Sequence, residues 1–219
     1  MALRIFDLDE TITCCDTSSL FCEYLKETGL VTDPGFVAEE QRLMDEYARG
    51  SMSVVEYIRF QMKPLADMNV ADIDHLTERF VADVIVPKIY PQAKVLLSEL
   101  RSAGHRVVIV SATATFIVRA VGKQLGVDEV LAIDLCVDGD DCYTGEIDGV
   151  PTYKEGKVTR LNAWLEAEQE SLKGAAFYSD SMNDLPLLEV VEQPVATNPD
   201  PRLAVIARER NWAQLNWTI

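Results

Sequence analysis

Basic residues are scarce in this chain: 20 Lys and Arg stand against 36 Asp and Glu over 219 residues, a formal net charge of −16. Nucleic acid and anionic membrane both call for basic surface, so neither is expected as a partner. Histidine is rarer still. His75 sits on a helix and His105 in an Ala-Gly-His turn, and both read as structural or surface residues. The five cysteines are an odd number without a CxxC pair, which argues against a zinc site, and a chain of this size needs no disulfides. Cys14 and Cys15 read as small buried filler. No apolar run is long enough to span a bilayer, and the chain enters its first strand at once, so the expected setting is the reduced cytoplasm. Repeats, low-complexity tracts and long linkers are absent too. Hydrophobic residues nevertheless make up 48%, enough for a sizeable core, so the chain is one large domain or a core carrying an insertion.

The hydrophobic periodicity changes along the chain. After a first strand (Leu3 to Phe6), residues 16–85 read as helices only: Thr17 to Thr28, Pro34 to Arg49, a capping box at Ser53-Val54-Val55-Glu56 opening a helix to Lys63, and a helix from Asn69 or Asp72 through Val84. Strands then alternate with helices. Pro91 to Ala103 is helical, Arg106 to Val110 a buried strand, Thr115 to Leu125 helical, and Glu129 to Leu135 a strand joined by the turn Asp138-Gly139-Asp140-Asp141 to Tyr143 to Ile147. A helix over Glu155 to Glu168, a strand over Ala175 to Tyr178, and segments 185–191, 194–197 and 201–210 complete the pattern. The aromatic tail from Trp212 to Trp217 reads as packing on an edge. Such alternation predicts an α/β fold with a doubly wound parallel sheet and a helical bundle inserted after the first strand. The expected division is a core of residues 1–14 and 86–219 and a helical unit of residues 15–85.

Ligands of these sheets bind beyond the carboxyl ends of the strands. Two acidic clusters lie there: Asp7-Leu8-Asp9-Glu10-Thr11 and Asp180-Ser181-Met182-Asn183-Asp184. Converging carboxylates call for a stabilising cation, because an unpaired buried charge is costly. A hard divalent ion completed by waters and a substrate phosphate fits this set. In extended backbone Asp7 and Asp9 project to the same side. One could attack phosphorus while the other serves as acid and base. Ser111 offers a hydroxyl at a helix start, Lys157 a positive charge, and Asn183 an amide beside Asp180; spread negative charge on a transferring phosphoryl group needs such donors. Lys154 competes with Lys157 for that role. Phosphoryl chemistry and plain metal binding both remain open on these residues.

Together they resemble the haloacid dehalogenase superfamily, in its phosphoserine-phosphatase-like branch (subfamily IB). DLDET at 7–11 matches the nucleophile motif DxDx[TV], VVIVSAT at 107–113 the motif ending in Ser or Thr, Lys157 in KEGK the third-motif lysine, and SDSMND at 179–184 the metal motif GDxxND. Ser179 and Ser181 depart from the glycines common there. The helical stretch matches the family's C1-type cap insertion. The resemblance implies a Mg²⁺-dependent phosphatase with a phospho-aspartyl intermediate. Asp7 would be nucleophile and metal ligand, and Asp9 acid/base and metal ligand through its carbonyl. Asp180 would be a metal ligand supported by Asp184, and Ser111, Ala112 and Lys157 would grip the phosphate.

The cap would choose the substrate, a small-molecule phosphate ester. In phosphoserine phosphatases a glutamate after the nucleophile motif takes the substrate amine and a cap arginine its carboxylate. Here Asp16 holds the glutamate-like place and Gln61 the arginine-like one, with Arg59 nearby on the same helix. A missing guanidinium leaves a substrate carboxylate poorly paired. An amine-bearing ester without a carboxylate is therefore expected, L-histidinol phosphate ahead of phosphoserine, possession of a histidinol-phosphate phosphatase activity being the sharpest form of the resemblance. A phosphotransferase passing the group from Asp7 to an alcohol would use the same residues, and a non-catalytic binder on the same fold is the remaining class. Monomer and homodimer are equally compatible with the sequence.

Overall fold

The computed structural model describes residues 2–219. Its strands are β1 (Leu3–Phe6), β2 (Arg106–Ala114), β3 (Glu129–Ile133), β4 (Leu135–Val137), β5 (Tyr143–Ile147), β6 (Ala176–Ser179), β7 (Gln193–Thr197) and β8 (Ala213–Leu215). Six of them form one sheet in the order β3-β2-β1-β6-β7-β8, every pairing parallel. Period-two alternation divides the side chains between its faces. Phe6, Val107 and Ile109 face α5 (Pro91–Ser102) and α6 (Thr115–Leu125), while Leu3, Ile5, Val108, Val110 and Phe177 face α7 (Glu155–Glu168), α8 (Leu185–Leu188) and α9 (Pro201–Glu209). The expected α/β doubly wound sheet is the observed one.

The named elements between β1 and α5 are helices, among them α1 (Thr17–Glu27), α2 (Phe36–Arg49), α3 (Val54–Met62) and α4 (Val70–Phe80). Local chemistry sets their ends. Asp16, Ser53 and Asn69 each accept a backbone N–H of the following first turn, and Gly50 closes α2 at φ 72°, a left-handed conformation that costs a residue without Cβ little. Phe21, Leu25, Ile58, Met62, Leu76 and Phe80 make the interior of this insertion, continuous with the α5–α6 side of the sheet. Both connections run side by side, since Cys14 N–H donates to the Lys88 carbonyl at 2.8 Å and Tyr90 N–H to that of Ile12 at 3.0 Å.

Several expected elements differ in detail. The helix expected to reach Val84 ends at Phe80 and passes into a wide turn, Val81–Ile85, and a tight one, Val86–Lys88; Pro87 has no N–H to continue an α-helix. The strand expected through Leu135 breaks at Asp134, whose carboxylate takes the Thr115 hydroxyl at 2.6 Å and the Arg160 guanidinium. Leu135 then enters the antiparallel β4–β5 hairpin outside the main sheet. Of the segment 185–191, only Leu185–Leu188 is helical. In the aromatic tail, Ala213–Leu215 is a true edge strand on β7, and the Trp217 ring meets Tyr90 edge-on at 6.0 Å.

Candidate active site

The sheet register brings the acidic motifs together. Phe6 pairs with Tyr178 on one side and Ile109 on the other, so the residues that follow (Asp7, Ser179-Asp180 and Ser111) emerge at one level. Asp7 N–H donates to the Tyr178 carbonyl at 2.9 Å and extends the pairing by one residue. β1 and β6 are also where the strand order reverses, the crevice in which ligands of doubly wound sheets bind.

Asp7 is buried, and its carboxylate accepts the Lys157 ammonium at 2.7 Å. Lys157, on the first turn of α7, also donates to Asp184 at 2.7 Å, and the Ser179 hydroxyl donates to Asp184 at 2.7 Å. The competing Lys154 does not enter this network: it donates to the Gly50 carbonyl at 2.7 Å. Asp180 and Thr11 are paired, its N–H donating to Thr11 Oγ1 at 3.0 Å and its carboxylate lying 3.2 Å from the same hydroxyl. The loop behind is anchored by Asp200, which accepts Met182 N–H at 2.7 Å.

Asp9 turns toward the insertion. One carboxylate oxygen accepts both the N–H and the hydroxyl of Thr17 at 2.6 Å; the other accepts Thr113 Oγ1 at 2.8 Å and Ser111 Oγ at 3.4 Å. Ser111 was expected at a helix start, but β2 runs on to Ala114 and α6 begins only at Thr115. Its oxygen accepts Thr113 N–H at 3.1 Å, and its carbonyl takes the Thr152 hydroxyl at 2.6 Å. Sequence reasoning missed Thr17, Thr113 and Ser179. Thr113 lay within the quoted VVIVSAT motif, but a hydroxyl among hydroxyls carries no signal of which one faces the acid.

A small cavity of about 30 Å³ lies between insertion and sheet, lined by Asp9, Asp16, Ser18, Met44, Tyr47, Met52, Tyr57, Ala112 and Thr113. None of these is Lys, Arg or His. Asn183 lies outside it, facing Gly50 in a neighbouring groove with Arg49 and Lys154. Gln61 is fully buried on α3 and donates to the Ser18 carbonyl at 3.4 Å. Arg59 is not brought to the site. It is exposed and paired with Glu146 on β5 at 3.0 Å, because two residues along a helix turn the side chain by about 200° from Gln61. The expected Arg59–substrate contact is corrected accordingly. The larger apolar hollow, lined by Leu96, Tyr178, Val195, Leu215 and Trp217, is on the sheet face beside β8 and touches none of the motif carboxylates.

The site carries more negative than positive charge. Burial pushes the Asp7 carboxyl up to about 7, against the pull of Lys157 and with the push of Asp184 and Asp9. Burial, then Asp7 and Asp184, hold Asp180 well above the carboxylate range. Burial opposes the Lys157 ammonium, but Asp184 and Asp7 raise it above its usual value. A second cation beside Asp7 and Asp180 would relieve this surplus, so the donor set fits a hard divalent ion. Among the described residues no three His, Cys, Asp or Glu side chains form a metal-holding group; the expected set needs two carboxylates and the Asp9 carbonyl.

The haloacid dehalogenase-like hydrolase family model matches residues 5–189. A histidinol-phosphatase of Neisseria meningitidis is 36% identical over 218 residues, 98% of each chain. A solved protein of unknown function from Bordetella pertussis superposes with a TM-score of 0.90 at 35% identity, covering 98% of this chain and 97% of that one. Substrate-bound phosphoserine phosphatase shares the fold, with a TM-score of 0.69 at 20% identity over 98% of this chain and 92% of its own. The chain belongs to the haloacid dehalogenase-like hydrolases and is a phosphatase.

Proposed function

We propose that the chain is a Mg²⁺-dependent phosphomonoesterase that works through a phospho-Asp7 intermediate and prefers an amino-alcohol phosphate, L-histidinol phosphate above phosphoserine. The single observation that carries the substrate reading is the cavity: it offers the Asp16 carboxylate to an amine and no lining cation to a carboxylate. The outward Arg59 and the buried Gln61 agree with that. The whole-length likeness to a histidinol-phosphatase supports the same choice. Residues 15–85 act in this reading as the cap that closes over the ester.

Asp7, through its side chain, Asp9, through its carbonyl, and Asp180 would hold the ion. Bound there, Mg²⁺ supplies positive charge to the phosphoryl oxygens and to Asp7. The Asp7 carboxylate attacks phosphorus in line, and the P–O bond to the alcohol breaks as Asp9 gives that oxygen its proton. Asp9 then takes a proton from the water that attacks phospho-Asp7, which returns the free carboxylate and phosphate. Thr17 and Thr113 orient Asp9 for both transfers. Lys157, Ser111, the Ala112 N–H and the Asn183 amide stabilise charge on the equatorial oxygens, Asp184 holding Lys157 in place.

Asp7→Asn should abolish turnover and the acid-labile phosphoenzyme. Asp9→Asn should slow turnover by about 10²- to 10⁴-fold, the usual worth of general acid–base help. In steady-state assays with Mg²⁺, kcat/KM should be higher for L-histidinol phosphate than for phosphoserine. The reverse order would overturn the substrate choice, and near-normal turnover by Asp7→Asn would overturn the intermediate.

A further inference from the structure

One polar cluster inside the helical insertion has no part in the steps above. Glu40 on α2 is 8% exposed, and its carboxylate accepts the Ser19 hydroxyl at 2.6 Å. Among the described residues no Lys, Arg or His forms an ion pair with it, and the charge of another acid, Glu23, acts on it. On the facing helix α3, Gln61 is 0% exposed and its carbonyl oxygen has no hydrogen-bond partner. Cys22 of α1 belongs to the same cluster, its thiol meeting the Gln61 side chain and feeling the Glu40 charge. A buried acceptor without a donor is a costly arrangement that a ligand's N–H would resolve.

The helix period places this cluster. Met44 and Tyr57 line the cavity. Glu40 is one turn before Met44 and Gln61 one turn after Tyr57, on the same helix faces. The chain reverses between these helices at Gly50, which rests on Lys154 of the core. Neither residue lines the cavity; each lies one turn farther along its helix from the Gly50 end than the residue that does. Burial raises the Glu40 carboxyl, and burial with the charge of Asp9 raises Asp16 up to about 8, as suits acids that lack a cation.

We infer that Glu40, together with the Gln61 carbonyl on the facing helix, forms a specificity subsite for a second nitrogen-borne proton donor of the substrate, one farther from phosphorus than the ammonium taken by Asp16. A heteroaromatic N–H such as that of imidazole has this placement; a simple aminoethyl ester lacks it. The inference rests on the amine-ester reading of the cavity.

Three probes separate the two: L-histidinol phosphate (ammonium and imidazole), phosphoethanolamine (ammonium alone) and p-nitrophenyl phosphate (neither). For Glu40→Gln, which keeps the shape and the Ser19 contact, the ratio of kcat/KM for L-histidinol phosphate to that for phosphoethanolamine should fall at least tenfold, chiefly through KM. Glu40→Asp should recover part of it. For Asp16→Asn both esters should lose ground together against p-nitrophenyl phosphate. A Glu40→Gln ratio within twofold of wild type, or an equal loss on all three probes, would overturn the subsite while leaving the amine reading intact. A wild-type enzyme that does not favour either amine over p-nitrophenyl phosphate would overturn both. Thermal melting of each variant identifies loss through unfolding, and Glu40→Ala repeats the ratio test should the glutamine variant melt early.

Discussion

At the scale of single residues the site is a chain of buried contacts, Ser179 to Asp184 to Lys157 to Asp7, each between 2.7 and 2.8 Å. A hydrogen bond to a charged group is worth about 1.5–3 kcal/mol, and tenfold in rate corresponds to about 1.4 kcal/mol. Ser179→Ala leaves Asp184 with Lys157 alone, and Lys157 free to settle toward Asp184 and away from Asp7. We expect kcat to fall roughly tenfold with KM little changed, measured on any ester the enzyme accepts; a kcat within twofold of wild type would show the hydroxyl to be idle. Residues of this kind were the hardest to read in the sequence. Asp7 and Asp180 stood out only through their partners, the ordered set with Ser111 and Lys157, because an Asp after a strand is ordinarily a turn or cap residue. Ser179, Thr17 and Thr113 did not, since Ser and Thr near helix starts ordinarily serve as caps. Arg59 misled for a related reason: sequence distance along α3 conceals the rotation that sends it to Glu146.

Elements carry the next level of information, and Lys154 marks where two of them meet. It precedes α7 at φ 50° and ψ −122°, backbone that residues with a Cβ adopt at a cost of about 1–3 kcal/mol. Its side chain spans from the core to the Gly50 carbonyl of the insertion and lies over the Tyr153 ring. Strain and latch can be separated. Lys154→Gly removes both, whereas Lys154→Met removes the bond and keeps the strain. The glycine variant should melt above the methionine variant by several degrees, and both should raise KM by loosening closure; identical melting temperatures would deny the strain. The same boundary explains which elements were legible. Hydrophobic periodicity located the α-helices and the β1, β2 and β6 strands, whose apolar runs have no competing role. It did not foresee that β2 continues to Ala114, because Ala112 to Ala114 are small residues without a β pattern. β4–β5 was read as a hairpin, but its docking onto the insertion, with Val70 N–H donating to the Asp141 carbonyl at 2.8 Å, is a tertiary event. β8 is three residues long and depends on β7 for its pairing.

The molecule as a whole combines a formal charge of −16 with buried acids whose protonation is favoured in the fold. Asp7, raised to about 7, Asp16, raised to about 8, and Asp180 all bind protons more tightly folded than unfolded. The folded chain therefore holds more protons than the unfolded chain above the ordinary carboxylate pKa, and stability must fall as pH rises through that window. The metal-free protein should lose thermal stability between about pH 4 and pH 8 on account of these groups. An ion at Asp7 and Asp180 favours their charged forms and removes their share of the loss, leaving that of Asp16. At a hundred times its dissociation constant a ligand adds about 2.7 kcal/mol, or several degrees for a chain of this length. Melting curves in Mg²⁺ and in EDTA, at pH 5 and at pH 8, test the linkage. The Mg²⁺-induced rise should be larger at pH 8, where no proton competes for Asp7, and Asp180→Asn should abolish it; an equal rise at both pH values would mean that the ion binds somewhere other than the strand-end acids.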